Sequence, residues 1–305
     1  MIDPLRSELS VVIGRVSTED GDRILETLAS LDEQQGERIC EVVLADRLGG
    51  AVSAEIARRY PHVKIIPCDP GMALPEMRTI ALEASTAAIV AVTEDHCVPA
   101  PGWIGQILSA FESRPDVVAV GGCVENGVHD TGFDWATFLC EYSFFSPPVA
   151  EGETQILPGM NVAYRRSALA AVPRARLVEG FWETTVHPLL LAAGGRFESR
   201  NAIKMFHCKK FSVSLFTAQR FVYSRYFAGI RFGRGDVAKR LVATAASVAL
   251  PPLLLWRMTK AASAKGLNKE FGRALPALAM LVVVWAFGEM VGYIAGPGDA
   301  LARIE

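Results

Sequence analysis

The chain has almost no net charge: 31 Lys and Arg stand against 33 Asp and Glu, a formal balance of −2. Nucleic-acid binding that relies on bulk positive charge is therefore excluded, and no nucleic acid is expected as a partner. No Cys-x-x-Cys pair occurs, and the six cysteines (Cys40, Cys68, Cys97, Cys123, Cys140, Cys208) have no zinc-like spacing. That pattern fits scattered free thiols in a reduced compartment. The opening Met1-Ile2-Asp3-Pro4-Leu5-Arg6 lacks the basic and apolar regions of a signal peptide, so the soluble part of the chain is expected to face the cytosol. Neither a Gly-x-Gly-x-x-Gly turn after the first strand candidate nor a Gly-x-x-x-x-Gly-Lys-Ser/Thr loop is found, which argues against a dinucleotide oxidoreductase and a P-loop NTPase.

What is present is a short-period alternation of apolar runs and amphipathic segments. Strands are expected at 9–13, 41–45, 63–66, 87–92 and 117–120. Helices are expected from the polar Ser17 to Asp22 stretch through Leu31, up to Tyr60, from Pro75 to Ser85 and from Trp103 to Ser113. The fold class this predicts is α/β, with a mostly parallel sheet between helices.

One strand candidate runs into Thr93-Glu94-Asp95-His96-Cys97. A buried strand that stops on acids places them at the carboxyl edge of a sheet, where open α/β folds bind ligands. A second acidic group, Glu179-Gly180-Phe181-Trp182-Glu183, heads a helix-like run. Asp95 is the expected principal metal ligand, the other reading being an N-cap of the following turn. His96 either joins it, favouring Mn²⁺ over Mg²⁺ by ligand type, or hydrogen-bonds behind it. Glu94 either contacts the sugar or ribose of a donor or points to solvent. Arg78 either pairs with donor phosphate or holds a neighbouring acid. Trp182 and Phe181 either wall a sugar ring or pack the core. His62 and His129 carry no signal, and His187 and His207 read as structural.

In order along the chain these pieces resemble family 2 glycosyltransferases of GT-A fold, from about Ser10 to Gly195. Glu41 to Asp46 resembles the strand ending in an aspartate near the nucleotide base. Met77-Arg78-Thr79 sits at an Ala-Arg-Asn-like helix start, and Thr93-Glu94-Asp95-His96 at the Asp-x-Asp metal motif. Gly159-Met160-Asn161-Val162-Ala163-Tyr164-Arg165-Arg166 is similar to the Gly-x-Asn-x-x-x-Arg-Arg segment beside the donor sugar. Trp182-Glu183, followed by Ala193-Gly194, resembles the Glu-Asp motif and its downstream Ala-Gly. The resemblance implies a nucleotide-diphosphate-sugar donor, a Mg²⁺ or Mn²⁺ cofactor, donor contacts from Asp46, Arg78, Glu94, Asn161 and Trp182, and Glu183 as catalytic base, with Glu179 behind it. A glutamate with a pKa of roughly 4.3 is ionised at neutral pH and able to act so; its other reading is a first-turn acid facing a helix dipole. Arg47 and Gly14-Arg15-Val16 depart from the pattern.

The last third is different. Between Phe211 and Phe232 aromatic residues interleave with Arg220, Arg225 and Arg231, which suits an interfacial helix. Leu241 to Trp256 would span about 24 Å as a helix, short of a hydrocarbon core of about 30 Å, and Pro251-Pro252 interrupts it. With Arg231, Arg234, Lys239 and Arg240 before it and Arg257, Lys260, Lys265, Lys269 and Arg273 after it, a re-entrant segment is expected. Leu275 to Ala295 is long enough to span but carries Glu289.

The sequence thus reads as a catalytic domain over 1–210, an amphipathic interfacial region over 211–240 and a membrane-embedded helical hairpin over 241–305. The expected activity is inverting transfer of a sugar to a lipid-linked or polysaccharide acceptor at the cytoplasmic face of a bacterial inner membrane. The alternative is a non-catalytic scaffold that binds a nucleotide sugar or partners in a polysaccharide assembly complex.

Overall fold

A computed structural model describes residues 8–19, 21–34, 40–233 and 235–305. Met1 to Arg6 and Arg234, invoked above, lie outside the described residues. The chain divides into two compact units, Met1–Gly127 with Phe145–Lys209, and Val128–Phe144 with Lys210–Glu305. A cut at 210 alone leaves one helix of the second unit, Gly132–Tyr142, with the first.

The first unit is built on nine strands: β1 (Leu9–Arg15), β2 (Cys40–Asp46), β3 (Lys64–Pro67), β4 (Ile89–Glu94), β5 (Cys97–Pro99), β6 (Ala119–Asn126), β7 (Gly152–Thr154), β8 (Val162–Arg165) and β9 (Phe197–His207). They form one sheet in the order β3-β2-β1-β4-β8-β6-β9-β5, with β7 beside β9. β1 is buried along its whole length, including Ser10 and Arg15, as a strand inside a parallel sheet covered on both faces should be. Its helices are α1 (Ile24–Glu33), α2 (Gly50–Arg59), α3 (Leu74–Ala84), α4 (Trp103–Ser113), α6 (Arg166–Ala170), α7 (Arg174–Gly180) and α8 (Glu183–Ala192), with α5 (Gly132–Tyr142) belonging to the second unit. Every element expected up to residue 113 is present, and Pro75 sits in the first turn of α3, where its missing N–H costs nothing.

Topology gathers the site. β1, β2, β3 and β4 are parallel, so Arg15, Asp46 and Glu94 end on one edge. β8 runs antiparallel to β4, with Val162 opposite Val92, which brings Asn161 to the same edge. β6 is antiparallel to β8 and parallel to β9, so β9 delivers His207 there as well. β5 then pairs Cys97 with His207, setting His96 beside it.

The second unit holds α5, α9 (Val213–Arg231), α10 (Val237–Ala246), α11 (Leu250–Ala264) and α12 (Asn268–Ala295). α9 and α12 run in the same sense, packed on small residues: a Cβ at Gly288 would strike Ser224, and one at Gly292 the Arg225 carbonyl. Phe216 and Tyr226 of α9 are buried, so part of its aromatic pattern is packing. Pro251-Pro252 does not break the chain. The pair occupies the first turn of α11 after a tight turn at Ser247–Ala249, and the helical course from Val237 to Ala264 extends over 28 residues, as does Asn268–Ala295. At 1.5 Å per residue each reaches about 42 Å, long enough by length and composition to cross a membrane. Arg240 donates to the carbonyls of Tyr293 (2.7 Å) and Ile294 (2.8 Å), fixing α10–α11 antiparallel to α12. Glu289 accepts from Trp285 (2.8 Å) and Tyr293 (3.1 Å) and lies 3.9 Å from Arg231, so this acid is neither bare nor unpaired.

Candidate active site

The edge begins with a closed ion pair. Arg15 Nη1 donates to both oxygens of Asp46, at 3.1 and 3.0 Å, and both residues are buried. The amides of Leu48 and Gly49 and the Ser53 hydroxyl also donate to that carboxylate. Burial pushes the Asp46 pKa up, but Ser53, the two amides and Arg15 outweigh it and hold the group below its ordinary value. The departure at Gly14-Arg15-Val16 is thereby explained: Arg15 supplies the countercharge for the strand-ending aspartate. Asp46 shapes the wall of the edge with its lone pairs already committed.

β4 ends at Glu94, and Asp95 and His96 form the turn into β5. Asp95 is turned inward. Its Oδ2 accepts the amides of Val16 (2.8 Å) and Ser17 (2.9 Å), and its Oδ1 accepts the Ser17 hydroxyl (2.7 Å) and lies 2.8 Å from His96 Nδ1. Burial raises its pKa, but His96, Lys209 and Ser17 more than reverse this, and it stays ionised far below the usual carboxylate range. Both oxygens of Asp95, the expected principal metal ligand, are thus hydrogen-bonded to the β1 loop and to His96.

His96 lies between Asp95 on one side of its ring and Glu94 with His207 on the other. His96 Nε2 lies 3.4 Å from Glu94 Oε2 and 3.2 Å from His207 Nε2, and one donor atom from each of the three falls within 4.8 Å of the others. His207 was read from sequence as structural; the antiparallel pairing of β5 with β9 makes it the third member. Burial, then the neighbouring His96, lowers its pKa to about 3, which favours the neutral imidazole. Glu94 is pushed up by burial but brought down to about 2 by His96, Arg78 and His207. One hard oxygen and two imidazole nitrogens are a donor set that fits a divalent transition ion. Lys209, also missed from sequence, is buried and donates to Ser17 Oγ at 3.1 Å.

Arg78 links this cluster to the second acidic stretch. From α3 it donates to Glu94 Oε1 (3.2 Å) and to the carbonyl of Phe181 (3.1 Å), and it is 2% exposed. Of its two sequence readings, the structure shows the held acid. Two residues past Phe181, Glu183 opens α8. Burial raises its pKa, Arg78 opposes this, and Glu94 adds to it, leaving the group above the ordinary glutamate value. A Cβ at Gly159 would collide with Glu183 Oε2, so the glycine of the Gly159-Met160-Asn161 segment is what gives this carboxylate its seat. Glu179 is exposed beside Arg176 at 3.8 Å. Phe181 and Trp182 are buried at 1% and 5% exposure, which favours the packing reading over a wall open to a sugar.

Asn161 is fully buried and fully used. It accepts from Trp103 Nε1 (2.7 Å) and donates to the carbonyls of Cys123 and Ile203, both at 2.9 Å. Those carbonyls lie where the β6–β9 register shifts, between Gly122 and Cys123. Asn161 therefore stitches the irregular strand that carries His207. His187, capped by the Tyr164 hydroxyl at 2.8 Å, is structural as expected.

Comparison with known proteins bears on this edge directly. The family model described as glycosyl transferase family 2 matches residues 16–172. A glucosyl-dolichyl phosphate glucuronosyltransferase of Haloferax volcanii is 28% identical over 121 residues, which is 38% of this chain and 38% of that protein. The matched stretch thus spans well under half of the curated relative. Among solved structures, a mannosyltransferase of Pyrobaculum calidifontis in complex with GDP-Man and Mn²⁺ superposes with a TM-score of 0.56 at 18% identity, covering 94% of this chain and 88% of that one. At that identity the likeness establishes the GT-A-like fold.

Proposed function

The chain belongs to glycosyl transferase family 2, and on that premise we propose that it moves a sugar, with inversion, from a nucleotide-diphosphate sugar to a lipid-linked acceptor at the cytosolic face of a membrane. The observation that carries the chemistry is the coupling, through Arg78, of a metal-fit cluster to a carboxyl group whose pKa is raised. Glu183 takes the proton from the acceptor hydroxyl as that oxygen bonds to the anomeric carbon. The bond from that carbon to the diphosphate breaks, and the nucleotide diphosphate leaves with the electron pair. A raised pKa makes the Glu183 carboxylate the stronger proton acceptor. Arg78 keeps Glu94 and the Phe181 turn in register. Glu94, His96 and His207 would hold a divalent cation, which supplies charge neutralisation for the departing diphosphate.

The lipid-linked acceptor is supported by the curated relative's name and by the second unit. Of the large apolar side chains that are exposed among the described residues, all except Ile156 belong to that unit, with Leu241, Val242, Val248 and Trp256 on α10–α11 and Val283, Phe287 and Ile294 on α12. Exposed apolar surface of this extent marks a membrane or partner contact, and basic residues border the apolar run at Lys239, Arg240, Arg257 and Lys260. The test is transfer from a panel of radiolabelled nucleotide sugars by the full chain in liposomes, offered polyprenyl phosphates, polyprenyl-linked glycans and soluble glycans. Label is expected in the lipid-extractable fraction with at least one donor. Label only on soluble glycans would contradict the lipid acceptor, and binding of a donor with no turnover on any acceptor would favour the scaffold.

A further inference from the structure

We propose that a groove between α9 and α12 seats the hydrocarbon tail of the lipid-linked acceptor, with the acceptor's phosphate beside Thr217 near the start of α9. This rests on the lipid-acceptor half of the function above and gives that acceptor a place wholly within the second unit.

The shape of the helix pair is the first ground. α9 and α12 approach closely at Gly288 and Gly292, and the rings of Phe221 and Phe287 stand 5.7 Å apart. On the N-terminal side of that ring contact lies a groove of about 810 Å³, with Val213, Thr217, Ala218 and Phe221 on one wall and Met280 and Val284 on the other. Ligand pockets commonly fall between about 300 and 1,000 Å³. Residues four apart on a helix share a face, so each wall is one side of one helix. From Val213 to Phe221 the groove runs about 12 Å, enough for part of a long chain. The rest of such a chain would continue over Val283 and Phe287, which are 56% and 57% exposed.

The second ground is the polar end of an otherwise apolar groove. Thr217 Oγ1 is shielded from solvent and has no hydrogen-bond partner, and Ser214 stands near it in the first turn of α9. A shielded hydroxyl with no partner is a cost when only hydrocarbon lies against it. Donation to a phosphate oxygen removes that cost, and the first turn of a helix favours an anion. A tail with a phosphate at one end matches this polarity.

Third, the chain itself ties this end of the groove to the active-site edge. Lys209 donates to Ser17 Oγ, which donates to Asp95 Oδ1. Val213 follows Lys209 by four residues, and four residues of extended chain reach at most about 14 Å. A phosphate held near Ser214 and Thr217 therefore stays within a short covalent reach of a residue that bonds to that edge.

The test uses the purified full chain in phosphatidylglycerol liposomes and a farnesyl phosphate that carries a diazirine on its terminal isoprene unit. After illumination, label is expected on peptides covering 213–221 and 280–287, and an excess of unlabelled polyprenyl phosphate should remove it. Ala218→Trp, which fills the groove from an exposed position, should cut labelling about tenfold with far-UV dichroism kept, while Val248→Trp outside the groove should leave it unchanged. Thr217→Val should weaken competition by polyprenyl phosphate about tenfold, the scale of one hydrogen bond to a charged group, and leave competition by farnesol as it was. Label spread along α10–α11 and α12 without competition would reduce the groove to ordinary bilayer contact. Equal removal of label by added phosphatidylglycerol would make the occupant a bilayer lipid and overturn the acceptor seat. Lipid-extractable product formed by Ala218→Trp at the wild-type rate would overturn the groove and leave the proposed function standing. Competed label in the groove, with transfer to soluble glycans alone, would overturn the lipid acceptor itself.

Discussion

Glu94 and Glu183 are two carboxylates under the influence of one guanidinium, and their surroundings drive them in opposite directions. Around Glu94 the burial penalty is overcome by His96, Arg78 and His207, and its pKa falls to about 2. Around Glu183 burial prevails and the pKa rises. One corner is thereby fitted to hold positive charge at every working pH, the other to accept a proton. The difference comes from how many donors reach each group, since residue type, edge and neighbouring arginine are shared. Asp95 marks the extreme of the first kind: all its capacity is consumed internally, which turns a candidate ligand into a clasp.

That contrast is breakable. Removing the clasp should have the largest effect, because Asp95→Ala strips the partner from two amides, a hydroxyl and His96. Losing one partner of a buried charged network costs about 3–5 kcal/mol. Denaturant unfolding at neutral pH should show a loss in that range, and a loss under about 1 kcal/mol, the scale of an exposed pair, would mean that Asp95 does not anchor the β1 loop.

Glu183→Gln should act on stability in the opposite direction and more weakly. A group whose folded pKa lies above its unfolded value contributes stability below the unfolded pKa, near 4.3 for glutamate, and loses it as pH rises through the folded value. Wild-type Glu183 thus weakens the fold at neutral pH, and the amide avoids that cost. Thermal melts should place the variant above wild type at pH 7, with the gap closing below about pH 4. A variant less stable than wild type at pH 7 would show that the Glu183 seat beside Gly159 is not a desolvating one.

Much of the first unit was legible because its strands and helices up to residue 113 are long or strongly periodic. The antiparallel half was not. β5 and β7 have three residues each, too few for a period to show, and β9 carries a register shift. His207 enters the site only through those pairings, so its role could not be read from spacing. The surroundings of Glu94 and Asp95 were hidden for a related reason: nothing in Thr93-Glu94-Asp95-His96 itself says which acid is tied to the β1 loop. Asn161 is a similar case: its bonds to the carbonyls of Cys123 and Ile203 depend on pairings that its motif does not show.

The division of labour at this edge is tested most directly by measuring donor affinity and turnover together for Glu183→Gln and Glu94→Gln, using whichever nucleotide sugar the liposome panel identifies. Glu183→Gln should bind donor and metal as wild type does and lose about 10²–10⁴ in turnover, while Glu94→Gln should lose metal-dependent donor affinity. Wild-type turnover in Glu183→Gln, or a Glu94→Gln variant whose metal-dependent donor binding is intact, would contradict the account.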